Sequence, residues 1–175
     1  GFSEFSERLS PEQLIDLLNR FFPFAEKLIN EAGGQIDKYI ADAIMAVFSG
    51  GENELTAAVR ACMAAQAIRR DISRLNHTLA AEGLPGIALG AGIASGEVIS
   101  GRIGATSGRR DYTVIGDRVN LAARLETMSH FSDQTRILVD EQTKLAASAA
   151  FSFKNHGELP VKGKTALVQV YELHD

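Results

Sequence analysis

Two short apolar runs, 35–40 and 43–48, are separated only by Ala41 and Asp42, and a long stretch of helical periodicity stands on either side of them. A two-residue connection between such runs reads as a tight antiparallel hairpin. Ala-Asp is not the pair these turns favour, because they want Gly or Asn at positive φ. Before the hairpin, Ser10 reads as an N-cap, Pro11 as the first helical residue and Gln13 as the reciprocal capping partner. Leu14, Leu17, Leu18, Phe21, Phe22, Ala25, Leu28 and Ile29 then recur on one face, Pro23 is expected to kink the helix, and Gly33-Gly34 ends it.

After the hairpin the pattern predicts a long helix over 53–80, two strands over 87–99 and a polar loop over 102–110. A strand end at 111–115 leads into a helix over 118–130, then a strand at 136–139. Asp140 reads as the cap of a short helix reaching about residue 149, and strands at 151–156 and 167–173 close the chain around a turn at 160–164. The order α-β-β-α-β-β-α-β-α-β-β predicts an α/β domain of the α+β kind. Its sheet is mixed but mainly antiparallel, with helices packed against it.

Composition narrows the function classes. A chain of 175 residues suits a single domain, and 45% hydrophobic with 23% charged residues argues against disorder. A net charge of −4 does not suit a protein that coats nucleic acid. No apolar run reaches the roughly 18–20 residues needed to span a bilayer, so no membrane contact is expected from this segment. The single cysteine, Cys62, excludes an internal disulfide and a cysteine-cluster zinc site, and a reduced cytoplasmic location is expected.

Several glycine patterns imitate phosphate-binding loops. Gly157 and Gly163 have five residues between them where a P-loop requires four, and no helix follows Thr165. Gly90, Gly92 and Gly96 resemble a dinucleotide fingerprint with one residue too many, so close strand packing is the expected role. His77, His130, His156 and His174 lie in no nucleophile motif, and Cys62 sits on a helical stripe as a small core residue.

Singly, the polar residues of interest say little: Asp42 reads as a turn former, Lys38 as a solvated strand residue, and Asn120 with Arg124 as a surface patch. Their context says more. D-K-Y-I-A-D-A-I-M-A-V-F (37–48), D-Y-T-V-I-G-D-R-V-N-L-A-A-R-L-E (111–126) and L-P-V-K-G-K (159–164) resemble the class III nucleotidyl cyclase catalytic domain. S-E-R-L-S-P-E-Q-L (6–14) and G-A-G-I-A-S-G-E-V-I-S-G-R-I-G (90–104) are similar to the same family in the same order.

The resemblance implies a ferredoxin-like cyclase fold, a head-to-tail homodimer with nucleotide between protomers, and conversion of ATP to 3′,5′-cyclic AMP and pyrophosphate. It implies two Mg²⁺ or Mn²⁺ ions per active site, with Asp42 as a metal ligand. It makes Arg124 the residue that stabilises charge on the α-phosphate and Asn120 the one that positions the ribose. Lys162 is implied to hold the terminal phosphates, with the backbone at Phe2 and Ser3 cradling phosphate. Lys38 and Thr113 match the adenylyl subgroup, Lys38 donating to adenine N1 and Thr113 accepting from the 6-amino group.

Two departures stand out. The family's first metal-binding aspartate falls three residues before Gly1, so the first strand and that carboxylate are expected upstream of this sequence. Ala41 stands where the family usually has glycine. A fused or associated sensor domain is expected. The alternative function is a catalytically inactive cyclase-homology module that binds nucleotide or a partner; a diguanylate cyclase is disfavoured because its Gly-Gly-Asp-Glu-Phe signature is absent.

Overall fold

Helix α1 (Pro11–Glu31) begins at the capping box read from the sequence: the Gln13 amide donates to Ser10 Oγ at 3.3 Å and the Ser10 amide to Gln13 Oε1 at 2.9 Å. The protein is described here from a computed structural model covering residues 9–50, 55–104, 110–132, 134–163 and 166–174. Phe2 and Ser3 therefore lie outside the described residues. The chain divides into two units, Gly1–Ser49 with Met63–Leu89, and Gly50–Cys62 with Gly90–Asp175.

In the first unit α1 is continuous through Pro23. Phe21, Ala25 and Ile29 recur every fourth residue and bury against Ala64, Ile68 and Ile72 of helix α2 (Ala57–Ala81). Strands β1 (Gln35–Ile40) and β2 (Ala43–Val47) form the expected hairpin, and their Ile36, Ile44 and Ala46 pack on the same cluster. Ala41 has φ +53, the left-handed conformation that a Cβ disfavours by about 1–2 kcal/mol. A bulge at Asp37 shifts the register between Ile36 and Lys38.

In the second unit, strands β3 (Ala91–Ile93), β6 (Ile137–Asp140), β7 (Ser152–Leu159) and β8 (Val168–His174) form one sheet in the order β3-β6-β8-β7. Only β3 and β6 pair in parallel. Helix α3 (Asp117–Met128) lies on β3 at Gly92, where a side chain would collide with the helix backbone at Ala122 and Glu126. The glycines of 90–92 thus serve close packing, as expected. Leu121 and Leu125 of α3 bury with Leu138, Val161 and Val170. Helix α4 (Glu141–Ala147) is capped by Asp140, which accepts from the Thr143 amide at 2.9 Å.

The fold is the mixed, mainly antiparallel α+β arrangement expected. The segment 87–99, expected to form two strands, holds one short strand and the first residue of β4 (Ile99–Gly104). Residues 102–104, expected in a loop, belong to β4, which pairs with β5 (Arg110–Ile115) as a separate ribbon. No described helix is long and apolar enough to cross a membrane.

Candidate active site

The sequence-derived residues divide between the units. Lys38 and Asp42 are on the β1–β2 hairpin; Thr113, Asn120, Arg124 and Lys162 are in the second unit. On the hairpin, the bulge at Asp37 turns the ladder just before Lys38, and the Lys38 ammonium stands 3.4 Å from the Asp37 carboxylate. Asp42 is exposed at the hairpin tip, next to left-handed Ala41. Its carboxylate is a hard oxygen donor and fits one ligand position of a Mg²⁺ or Mn²⁺ ion. Among the described residues no three His, Cys, Asp or Glu side chains gather into a metal site.

In the second unit, helix geometry and one buried valine bring the Arg124 guanidinium against the turn that carries Lys162. Asn120 and Arg124 are four residues apart on α3 and so share a face, with Leu121 and Leu125 directed into the core. Val161 buries against those same leucines and carries the β7–β8 turn, which presents Lys162. The Arg124 guanidinium lies so close to the next residue, Gly163, that a Cβ there would stand 2.6 Å from Arg124 Nη2. Arg124 therefore rests against the residue that follows Lys162 in the turn. Thr113 is buried on β5 opposite Gly101, and its hydroxyl is 3.5 Å from the Val114 carbonyl.

Several polar groups beyond the sequence-derived set hold this part of the molecule. Arg118, in the first turn of α3, donates to Asp140 at 3.1 Å, and the other Asp140 oxygen also accepts from the Ser95 amide at 3.2 Å. One carboxylate thereby ties α3, β6 and the Ser95 segment. The capping role of Asp140 was legible; its pairing with Arg118 depends on a tertiary approach that no local pattern signals. Glu172, on β8, is fully buried and accepts from Ser132 Oγ, from the Thr135 amide at 2.6 Å, from the Arg136 amide at 3.1 Å, and faces His156 at 2.9 Å. Burial pushes this carboxyl up, but the Ser132, His156, Thr135 and Arg136 hydrogen bonds outweigh it and bring its pKa down to about 2.

Cys62 is buried, and burial pushes its thiol up to about 12, so it holds no thiolate for nucleophilic attack.

Residues 1–175 match the family described as the adenylate and guanylate cyclase catalytic domain. The chain belongs to that family. An adenylate cyclase of Anabaena cylindrica is 37% identical to this cyclase domain over 176 residues, covering 99% of the chain and 34% of that protein. A terminal-differentiation specific adenylate cyclase of Dictyostelium discoideum is 34% identical over 99% of the chain and 8% of its own length. The cyclase domain thus spans about a third or less of these curated relatives. The crystal structure of the adenylyl cyclase CyaB from P. aeruginosa superposes with a TM-score of 0.91 at 34% identity, covering 100% of this chain and 89% of that one. The guanylyl cyclase Cya2 superposes with a TM-score of 0.88 at 29% identity, covering 99% of this chain and 86% of that one.

Proposed function

We propose that this domain is an adenylate cyclase that converts ATP to 3′,5′-cyclic AMP and pyrophosphate by attack of the ribose 3′-hydroxyl on the α-phosphate. The observation that carries the reading is the pairing of Arg124 with the turn that presents Lys162. A guanidinium seated against a lysine-bearing turn suits a triphosphate, whose negative charge must be neutralised before an internal oxygen can attack. Lys162 binds the terminal phosphates, Arg124 holds the charge that grows on the α-phosphate, and Asn120, one turn before Arg124, orients the ribose. The backbone at Phe2 and Ser3 adds amide donors to the phosphates.

Base choice falls to Lys38 and Thr113. An ammonium donates to adenine N1 and a hydroxyl accepts from the 6-amino group, whereas guanine presents the reverse pattern. The names of the Anabaena and Dictyostelium relatives support the adenylyl assignment. Asp42 holds divalent metal together with a second carboxylate. Bound Mg²⁺ or Mn²⁺, two ions per site, would neutralise phosphate charge and acidify the 3′-hydroxyl.

The site is shared between two copies. The β4–β5 ribbon supports this, since Ile99 is 72% and Tyr112 66% exposed, and a two-stranded ribbon alone is marginal in water. Residues 1–175 act as one cytoplasmic catalytic domain, fused to or associated with a sensor domain. Incubation of the full-length protein with Mg²⁺ and either ATP or GTP tests the reading. Cyclic AMP and equimolar pyrophosphate should appear, with ATP preferred at least about tenfold, a discrimination well within what one pair of hydrogen bonds supplies. Nucleotide binding without either product would make the domain an inactive module.

A further inference from the structure

We propose that Gly163 is a positioning residue for Arg124: its lack of a side chain is what lets the guanidinium rest against the β7–β8 turn beside Lys162. The proposal rests on the roles given above to those two cations. Gly163 has φ +76. A Cβ at this position would meet Arg124 Nη2 at 2.6 Å, Cζ at 3.2 Å and Nη1 at 3.5 Å. All three nearest atoms belong to one guanidinium, so the bare face of the glycine is the seat of that group.

The seat has a fixed base. Val161, two residues earlier, is buried with Leu121 and Leu125, which flank Arg124 in the helix. Turn and helix are locked together below, so the distance between their polar tips is set by packing. A methyl group at 163 could not be relieved by moving that base. The cheap relief is at the flexible end of the Arg124 side chain, which would swing away while the fold persists. Gly92 is the contrasting case, because its neighbours are helix backbone and cannot yield in this way.

Backbone strain and displacement of Arg124 can be separated. Gly83 has φ +73, and a Cβ added there would meet nothing within 4 Å, so Gly83→Ala carries the same left-handed strain without a neighbour. Gly163→Asn suits left-handed φ better than alanine yet still carries a Cβ. The experiment compares Gly163→Ala, Gly163→Asn and Gly83→Ala by urea denaturation, by the ¹⁵N relaxation of the Arg124 Nε–H resonance, and by kcat and KM for cyclic AMP formation.

Both Gly163 variants should shift and mobilise the Arg124 Nε resonance and lower kcat about tenfold or more, with KM for ATP changed less than about threefold, as expected when a transition-state contact is lost. Gly83→Ala should leave both unchanged. In an Arg124→Ala background, Gly163→Ala should add less than about a twofold further loss. An Arg124 resonance unmoved by either Gly163 variant overturns the proposal, as does an undiminished effect in the Arg124→Ala background. A full-length parent protein that makes no cyclic AMP would overturn the cyclase reading, while the resonance would still decide the role of Gly163.

Discussion

The imidazole Nε2 of His156 stands 2.9 Å from a carboxylate oxygen of Glu172, a side chain with no exposed surface. The other carboxylate oxygen accepts from Ser132, Thr135 and Arg136, so a single anion gathers the segment before β6 and joins it to β7 and β8. A buried charge is tolerable only with such a full set of donors.

The pH dependence follows from this anion. Its pKa falls from the ordinary 4.5 to about 2, so the native state holds the proton less tightly than the unfolded chain. The associated stability is fully present above pH 4.5 and is lost as pH falls toward 2. The shift corresponds to about 3 kcal/mol. Glu172→Gln keeps the shape and removes the charge, so it should lower stability at neutral pH by about 2–3 kcal/mol and flatten the acid limb. Urea midpoints measured between pH 7 and pH 2.5 check both effects; an unchanged acid limb would remove Glu172 as its source.

How much of this was legible varies with the kind of signal. Helix α1 and the β1–β2 hairpin were readable because Phe21, Ala25 and Ile29 keep helical spacing and because only Ala41 and Asp42 intervene between two apolar runs. Strand β5 was read at 111–115, but most of β4 was not, since Ile99 and Ile103 are exposed and Gly101, Arg102 and Gly104 interrupt any alternation. The family pattern nominated Arg124 and Lys162 singly, but the approach of Arg124 to the turn beside Lys162 depends on Val161 packing under α3, which is a tertiary fact. Glu172 was invisible for a similar reason. A glutamate between Tyr171 and Leu173 looks like the outward residue of a strand until Ser132, Thr135 and Arg136 fold over it.

The left-handed φ of Ala41 gives a second expectation. Its methyl group costs about 1–2 kcal/mol in that conformation, whereas glycine adds back about 0.4–1 kcal/mol of unfolded-chain entropy. Ala41→Gly should therefore stabilise the protein by about 0.5–1 kcal/mol, the difference between those two effects. A urea midpoint that does not rise would mean the hairpin absorbs the methyl group without strain. The same variant reports on Asp42: if relief of the turn also places the carboxylate better, the Mg²⁺ concentration for half-maximal activity should fall.

Exchange of the base-reading pair offers a third measurement. On the proposed base reading, Lys38→Glu replaces the donor to adenine N1 by an acceptor, and Thr113→Cys removes the stronger hydroxyl acceptor for the 6-amino group. The double variant should lose at least about tenfold in kcat/KM for ATP and gain relative activity on GTP, because each mismatched buried polar contact costs on the order of 1–3 kcal/mol. Undiminished ATP turnover with no use of GTP would show that neither side chain reads the base.

Complementation between inactive chains tests the shared site. In the proposed shared arrangement every site draws Asp42 from one copy and Arg124 from the other, so Asp42→Ala and Arg124→Ala should each disable both sites of a homodimer. In a mixed dimer, one site receives both defects and the second receives none. Random mixing makes about half of the dimers mixed, and each carries one intact site of two, so activity should recover to about a quarter of the parent value at equal amounts. The recovery should peak at an equal ratio and rise with protein concentration as exchange proceeds. If each copy instead completed its own site, the mixture would stay as inactive as its parts at every ratio, and the single-copy arrangement would replace the shared one.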